Sequence, residues 1–479
     1  MFQYDFSNHQ NRHIRIEDMP EEYFKRIQET TKNDPYYPAW HIAPKCGLMN
    51  DPNGLCQING IHHIFYQWFP AGPVHGLKHW YHLETKDFIH YEDKGVAMYP
   101  ETEADSFGCY TGMALKDGVE ISIYYTGIEN EEMIPCTCYA RFDGENLTDR
   151  KKIVEMDPEL TTINYRDPYV WKRAGEYWML TGAENKEHKG ILMLYKGEKS
   201  DSFKYCGQVK LLQNGGEADL GYMLECPNYF ETSEKGVLFC SPMGIASENK
   251  YDYKNVFSVI YAIGEPLDIE EKEFRFSEIY ELDKGFDFYA PQSYEDENHR
   301  RILFGWLGNS KSEYPTDKNN WAHILTLPRE ITIDGDRIVQ KPVEELKLLR
   351  KNERSMGEKD GNTIHNMEEC SFEIEAQTEG VFSIEIGNTN GDKLTFVSDG
   401  EEYCLDRSGM TEIYAEKFGT VRYAKQLEQK QTIQVMVDHS SIEIFCDHGK
   451  TVFTSRMFID QVSYIKTEGL NGKLYDLKK

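Results

Sequence analysis

Three short blocks place acidic residues in settings that bear on chemistry. Asn50-Asp51-Pro52-Asn53-Gly54 holds an aspartate among residues that all favour turns. Asn164-Tyr165-Arg166-Asp167-Pro168 sets an arginine beside an aspartate, a pairing that on a surface is worth little. Glu225 stands in an apolar stretch that begins at Gly221 and ends in Cys226-Pro227. Burial there would raise its pKa and make it a proton donor near neutrality. Read alone, the first block is also a plain turn and the second also a surface ion pair. Other chemistries lack their motifs: there is no G-x-S-x-G elbow, H-E-x-x-H, Walker loop or G-x-G-x-x-G. The histidines lack zinc-ligand spacing. Carboxylate-only chemistry would need no metal or cofactor.

The elements that must position these residues read as all-β. Short apolar and aromatic runs alternate with Gly, Asn, Asp and Pro turns. Five runs begin near Gly60, Gly118, Gly175, Gly236 and Arg300, spaced by 58, 57, 61 and 64 residues. One four-stranded sheet per repeat suits a propeller blade, and five would close a ring. Evenly spaced hairpins in any all-β chain would look similar. The acids follow the repeat: Asp51 lies 9 residues before its run, Asp167 lies 8 before and Glu225 11 before. Asp105 and Asp287 each lie 13 before theirs. Similar offsets mean similar places in each blade, so acids from several blades converge on the channel mouth. Asp105 reads as a structural turn residue.

The expected organisation is an N-terminal helical segment over 1–33, a propeller over 34–340, a linker over 341–355 and a β-sandwich over 356–479. A helix is predicted over 16–32, with Asp18 and Glu21 as a capping box around Pro20. The last stretch lacks the longer repeat and alternates short strands with turns.

The 479 residues hold 53 Lys and Arg against 81 Asp and Glu, a formal charge of −28. This argues against nucleic acid, which needs a cationic footprint, and against anionic membranes. No apolar run reaches membrane-spanning length, and no secretory leader is visible near the N-terminus. Eleven scattered cysteines fit a reduced cytoplasm better than a disulfide framework. Oligomeric state is not legible.

Taken together, the N-D-P-N-G, R-D-P and E-C-P blocks, in that order and at this spacing, resemble glycoside hydrolase family 32, the β-fructofuranosidases. Further matches are Gly108-Cys109-Tyr110-Thr111-Gly112, Asp287 to Gln292, Trp321-Ala322-His323, Leu327 to Glu330, Val437 to Phe445 and Thr454-Ser455-Arg456. The likeness covers about residues 34–479. It implies a five-bladed β-propeller joined to a β-sandwich. It also implies that Asp51 is the nucleophile, Glu225 the acid/base and Asp167 the stabiliser of the fructosyl transition state, with Arg166 setting local electrostatics. Retention of configuration would follow, with the Asp51 and Glu225 carboxyls about 5–5.5 Å apart, Asp51 ionised and Glu225 raised. By the same resemblance Leu48, Met49, Asn50, Gln67, Trp80, Tyr110, Thr111, Arg166, Tyr289 and Trp306 would line the sugar site. Trp80 and Trp306 also suit a core or interface. Tyr110-Thr111 replaces the family's common Phe-Ser pair, which adds a methyl at the retained hydroxyl.

The segment from Gln67 to Trp80 looks most like the cytoplasmic branch of the family that cleaves sucrose 6-phosphate. Sucrose and short fructo-oligosaccharides remain alternative substrates, and an inactive sugar-binding propeller is a reading from another class. A phosphate ester needs local positive charge on so acidic a chain. His75, Lys78, His79 and His82 are the expected source, with Lys78→Ala predicted to raise KM for the phosphorylated sugar alone. Solvated loop residues are the plainer reading of the four.

Overall fold

The computed structural model describes residues 4–357 and 363–479. The expected N-terminal segment and sandwich therefore each include a few residues outside the described ones. Five four-stranded antiparallel sheets follow one another along the chain. The first contains β1 (Gly47–Ile58), β2 (Ile61–Phe69), β3 (His79–Thr85) and β4 (Tyr91–Met98). The second contains β5 (Gly108–Asp117), β6 (Glu120–Ile128), β7 (Pro135–Phe142) and β8 (Leu147–Glu155). The third contains β9 (Thr161–Arg173), β10 (Glu176–Asn185), β11 (Gly190–Lys199) and β12 (Ser202–Gln213). The fourth contains β13 (Met223–Glu231), β14 (Gly236–Met243), β15 (Ile260–Gly264) and β16 (Glu273–Glu281). The fifth contains β17 (Tyr289–Glu295), β18 (Arg301–Leu307), β19 (Arg329–Asp334) and β20 (Arg337–Pro342).

The five leading strands touch in a cycle, β1 to β5, β5 to β9, β9 to β13, β13 to β17 and β17 back to β1. They are the inner wall of a closed propeller. Trp321 and Ala322 pair in parallel with Gly47 and Leu48, which ties late chain onto the first blade. The outer strands of blades three and four, β12 and β16, also pair in parallel. The repeating apolar runs of the sequence are the second strands, β2, β6, β10, β14 and β18. The acids that precede them therefore fall on or just before the inner strands.

Every inner strand carries the same irregularity. Two of its residues oppose one on the second strand: Asn50-Asp51 face Gln67, and Tyr110-Thr111 face Thr126. Asp167-Pro168 face Thr181, Cys226-Pro227 face Cys240, and Ala290-Pro291 face Gly305. A bulge bends the strand and re-aims a side chain. In three blades the first bulged residue is left-handed: Asp167 at φ 65°, Cys226 at 48° and Ala290 at 45°. Gly112 follows the bulge of blade two, where a Cβ would stand 2.2 Å from the Tyr124 carbonyl oxygen. Only glycine fits there.

Helix α1 runs over Glu21–Lys32 and buries Tyr23 and Ile27 against blade one, with the Tyr23 hydroxyl donating to the Ala71 carbonyl at 2.6 Å. It starts later than expected. Ile16–Asp18 is a separate 3-10 turn, Pro20 is the N-cap, and no side chain caps the helix. The charged 341–355 segment, a linker in which the sequence also allows a short helix, does contain one. Glu344–Leu349 is a 3-10 helix, and Arg350–Met356 forms β21, which pairs with the last strand of the sandwich.

The sandwich adds β22 (Thr363–Asn366), β23 (Ser371–Gly387), β24 (Lys393–Asp399), β25 (Glu402–Asp406) and β26 (Val421–Lys425). β27 (Gln431–Asp438), β28 (Ser441–Cys446), β29 (Thr451–Arg456) and β30 (Tyr464–Leu477) complete it. Two apolar runs read separately in the sequence, 371–376 and 381–387, are halves of the single strand β23. Its first half joins β27, β28 and β29 with the end of β30, and its second joins β24, β25 and β26 with the start of β30. Between the layers lie Phe372, Ile374, Phe382, Phe396, Val435, Ile444, Phe453 and Leu474, all buried.

The sandwich meets the propeller through buried charges. His41 bridges Asp438 at 2.9 Å and Glu443 at 3.0 Å, and Arg329 bridges Glu443 at 2.6 Å and Asp283 at 3.2 Å. Asp287 accepts from the Tyr314 hydroxyl at 2.6 Å, the Arg456 amide at 2.9 Å and the Tyr414 hydroxyl. Asp287 and the blocks around 327–330, 437–445 and 454–456 thus build this interface. Asp105 accepts the Thr102 amide at 2.9 Å and the Tyr125 hydroxyl at 2.6 Å, a structural turn role. All eleven cysteines are free thiols. Among the described residues no helix is long and apolar enough to cross a membrane.

Candidate active site

Asp51, Asp167 and Glu225 come from the inner strands of blades one, three and four. Cys226 links them. Its amide donates to Asp167 Oδ2 at 2.9 Å, and its sulfur lies 3.5 Å from that oxygen and 3.8 Å from Asp51 Oδ2. The left-handed backbone of Asp167 directs its own amide to Thr126 Oγ1 at 2.8 Å. Asp51 is buried and takes donors at both oxygens: Asn50 Nδ2 at 2.9 Å on Oδ1, and Thr111 Oγ1 on Oδ2. Gln67 accepts from Asn50 at 3.0 Å and donates to Thr111. Glu225 is half-buried. Arg166 Nε donates to its Oε1 at 2.7 Å and the Tyr289 hydroxyl to its Oε2. Arg166 is itself steadied by Asn164 Oδ1 at 3.0 Å.

Burial and mutual repulsion set the electrostatics. Asp167 is pushed up to about 7, first by burial and then by the charge of Glu225, against the pull of Arg166. Asp51 is also raised by burial, and the bonds from Thr111 and Asn50 with the charge of Lys78 oppose the rise. The sequence reading left Asp51 out of the raised groups; its enclosure puts it among them.

Of the expected sugar residues, Asn50, Gln67, Thr111, Arg166 and Tyr289 join this network directly. Trp306 packs edge-on to Tyr289, with centroids 6.2 Å apart, and its indole N–H is buried without a partner. Tyr110 is half-buried, and its carbonyl accepts the Trp80 indole N–H at 3.0 Å. Three of the expected residues are buried. Trp80 is sealed in the core beside Phe65 and Tyr125 and supports Tyr110 from behind. Met49 packs in the core shared with Trp68 and Phe304, and Leu48 is buried where β1 pairs with Phe69 and Ala322.

The expected basic cluster also divides. His79 is buried with Nδ1 3.1 Å from the Leu77 carbonyl, and His82 stacks on Phe65 with centroids 4.2 Å apart. Burial lowers them to about 4 and about 3, so neither supplies positive charge at neutral pH. His75 is likewise lowered by burial. Lys78 is not a solvated loop lysine: it is buried, donating to Asn50 Oδ1 at 2.6 Å and to His75 Nδ1 at 3.0 Å. The roles of Cys226 and Thr126 escaped sequence reasoning, because each depends on a bulge in a neighbouring blade. One trio among the described residues, His63, His82 and Glu84 on β2 and β3, brings three possible metal-ligand atoms together. It lies in the body of blade one, with His63 bonded to His82 at 3.0 Å.

An inner ring of bulged strands presenting three carboxylates defines a glycosidase-type propeller site. The family comparison agrees: residues 41–342 match the Glycosyl hydrolases family 32 N-terminal domain and residues 337–473 the Glycosyl hydrolases family 32 C terminal domain. The chain belongs to glycoside hydrolase family 32 and is a glycoside hydrolase. It is similar to the sucrose-6-phosphate hydrolase of Vibrio alginolyticus, 40% identical over 474 residues, covering 98% of this chain and 96% of that one. The corresponding Bacillus subtilis enzyme is 32% identical over 461 residues, covering 94% of each. Among solved structures, the sucrose-6-phosphate hydrolase of Lactobacillus gasseri superposes with a TM-score of 0.91 at 27% identity, covering 98% of this chain and 99% of that one. A Bombyx mori β-fructofuranosidase variant in complex with sucrose gives 0.80 at 27% identity, covering 96% and 98%.

Proposed function

We propose that the protein cleaves the β-fructofuranosidic bond of sucrose 6-phosphate by double displacement. Asp51 attacks the anomeric carbon of the fructosyl unit. Glu225 protonates the leaving oxygen and then takes a proton from the water that releases fructose. Asp167 accepts from fructosyl hydroxyls and stabilises the oxocarbenium-like state. The observation that supports this division is the contrast between two carboxylates. Asp51 is enclosed by donors at both oxygens, as a nucleophile must be to stay anionic. Glu225 is half-open and gripped by Arg166 and Tyr289.

The phosphate rests on likeness to relatives named for that substrate. With His79 and His82 neutral, and with Lys78 and Arg166 engaged by Asp51 and Glu225, positive charge for a phosphate is left to Arg12 and Lys311, which both act on His75. A phosphorylated disaccharide is a cytoplasmic substrate, and we place the enzyme there. A hydrolase of free sucrose or short fructo-oligosaccharides is the second reading, supported by the sucrose-bound relative. Comparing kcat/KM for sucrose, sucrose 6-phosphate and a short inulin oligomer decides between them. A preference of about tenfold or more for the phosphorylated sugar is expected. Equal values for the first two would sink the phosphate assignment and leave the reaction class intact.

A further inference from the structure

We infer that Lys78 is a positioning residue for Asp51: it fixes the direction of a hydrogen-bond circuit that presents only donors to both oxygens of the nucleophile. The inference rests on the assignment of Asp51 above. An ε-ammonium donates and cannot accept. Lys78 Nζ lies 2.6 Å from Asn50 Oδ1, so the Asn50 carbonyl must face Lys78 and its NH2 must face away. That NH2 donates to Asp51 Oδ1 at 2.9 Å and to Gln67 Oε1 at 3.0 Å. Gln67 has then accepted at its oxygen, so its Nε2 donates to Thr111 Oγ1. The single Thr111 proton is left for Asp51 Oδ2. Each step has one permitted direction once the first is set. An apolar group at position 78 would free the Asn50 amide to turn, and its carbonyl would then confront the carboxylate.

The charge acts in the same sense. Lys78 is buried, and its polar neighbours are the uncharged Asn50 and His75. Burial lowers it to about 7, and Asp51 holds it up against that pull. Asp51 is faced by Glu225 and Cys226 on β13, and by Asp167 on β9. Lys78 is faced by His75 and His323. The only cation among these that lowers Asp51 is Lys78.

The test is the pH dependence of kcat/KM for sucrose and sucrose 6-phosphate in Lys78→Met, Lys78→Gln and Lys78→Arg, with folding checked by circular dichroism. Losing the cation raises Asp51, so the acidic limb should move to higher pH by about one unit in Lys78→Met. At pH 6, where Lys78 is mostly the ammonium, kcat should fall about tenfold or more, by the same factor for both substrates. Lys78→Arg should keep the limb in place. Should Lys78→Met fail to fold, Lys78→Gln reads the same shift, since it retains a donor without the charge. An unmoved limb, or a rise in KM confined to the phosphorylated sugar, would overturn the inference. Asp51→Asn separates the two failures. If it is inactive while the Lys78 limb stays put, the positioning role alone is wrong; if it is fully active, the nucleophile assignment is wrong.

Discussion

Arg166 on β9 donates its Nε–H to Glu225 on β13 at 2.7 Å, a bond that crosses from blade three to blade four. The contact holds the proposed acid/base at the seam between two sheets. Arg166→Lys keeps a cation but loses the planar fork. We expect kcat to fall about tenfold to a hundredfold with a smaller change in KM. A change confined to KM would show that Arg166 only binds sugar.

Tyr289 holds the other oxygen of Glu225. Tyr289→Phe removes that donor and leaves the ring against Trp306. A hydrogen bond to a charged group is worth about 1.5–3 kcal/mol, so kcat/KM should drop about tenfold to a hundredfold. Thermal melts should stay within a few degrees of the parent.

Retention is the stereochemical expectation for a carboxylate pair about 5–5.5 Å apart. Methanol added to the reaction should trap the fructosyl unit as the methyl β-fructofuranoside, read by NMR before anomerisation can intervene. The α-anomer would mean inversion and would remove Asp51 as nucleophile.

The three carboxylates stood out through the N-D-P-N-G, R-D-P and E-C-P blocks and the family resemblance these carry; their offsets from the repeating strands did not separate them from Asp105 and Asp287. The blade count followed from the spacing of those strands. What could not be read was which face each residue takes. Trp80, His79 and His82 lie among alternating residues near β3, and one step of register decides between core and channel. The bulges were hidden as well, since a bulge is a relation between two strands. Asp18 looked like a cap, yet the chain turns at Met19 and the helix begins after Pro20.

Asp167 illustrates a cost of function. Its pKa is about 7 in the folded protein against an ordinary 3.8, so the folded state binds the proton more tightly. Its contribution to stability is greatest below about pH 4 and is lost as pH rises through 7. Asp167→Asn should therefore raise Tm by about 2 °C or more at pH 8, with a smaller gain at pH 5, while activity is lost. A lower Tm at pH 8 would contradict this.

The buried charges between propeller and sandwich give a separate pH signature. His41 is raised despite its burial, because Asp438 and Glu443 both bond to it. That contribution is whole below the ordinary 6.5 and fades as pH rises through the raised value. Asp438 is held at about 2, against burial, by the bonds from His41, so its share is whole above 3.8 and fails toward pH 2. Stability from this pair should be greatest between about pH 4 and 6.5. Arg329→Met takes the cationic partner from buried Glu443 and Asp283, which keep His41 and Thr454, and should cost up to about 3–5 kcal/mol, read by urea unfolding. A loss under 1 kcal/mol would mean that the interface relaxes around the gap.

The two-against-one bulge repeated in all five inner strands makes the ring a set of matching sockets. Asn-Asp, Tyr-Thr, Asp-Pro, Cys-Pro and Ala-Pro occupy the same seat in successive blades. The frame is nearly symmetric and the chemistry is not. The seats holding Asp51, Thr111, Asp167 and Cys226 bond to one another, so a pair exchanged there would disturb its neighbours as well. Ala290-Pro291, the least reactive pair, is the natural socket for installing a new contact to the sugar.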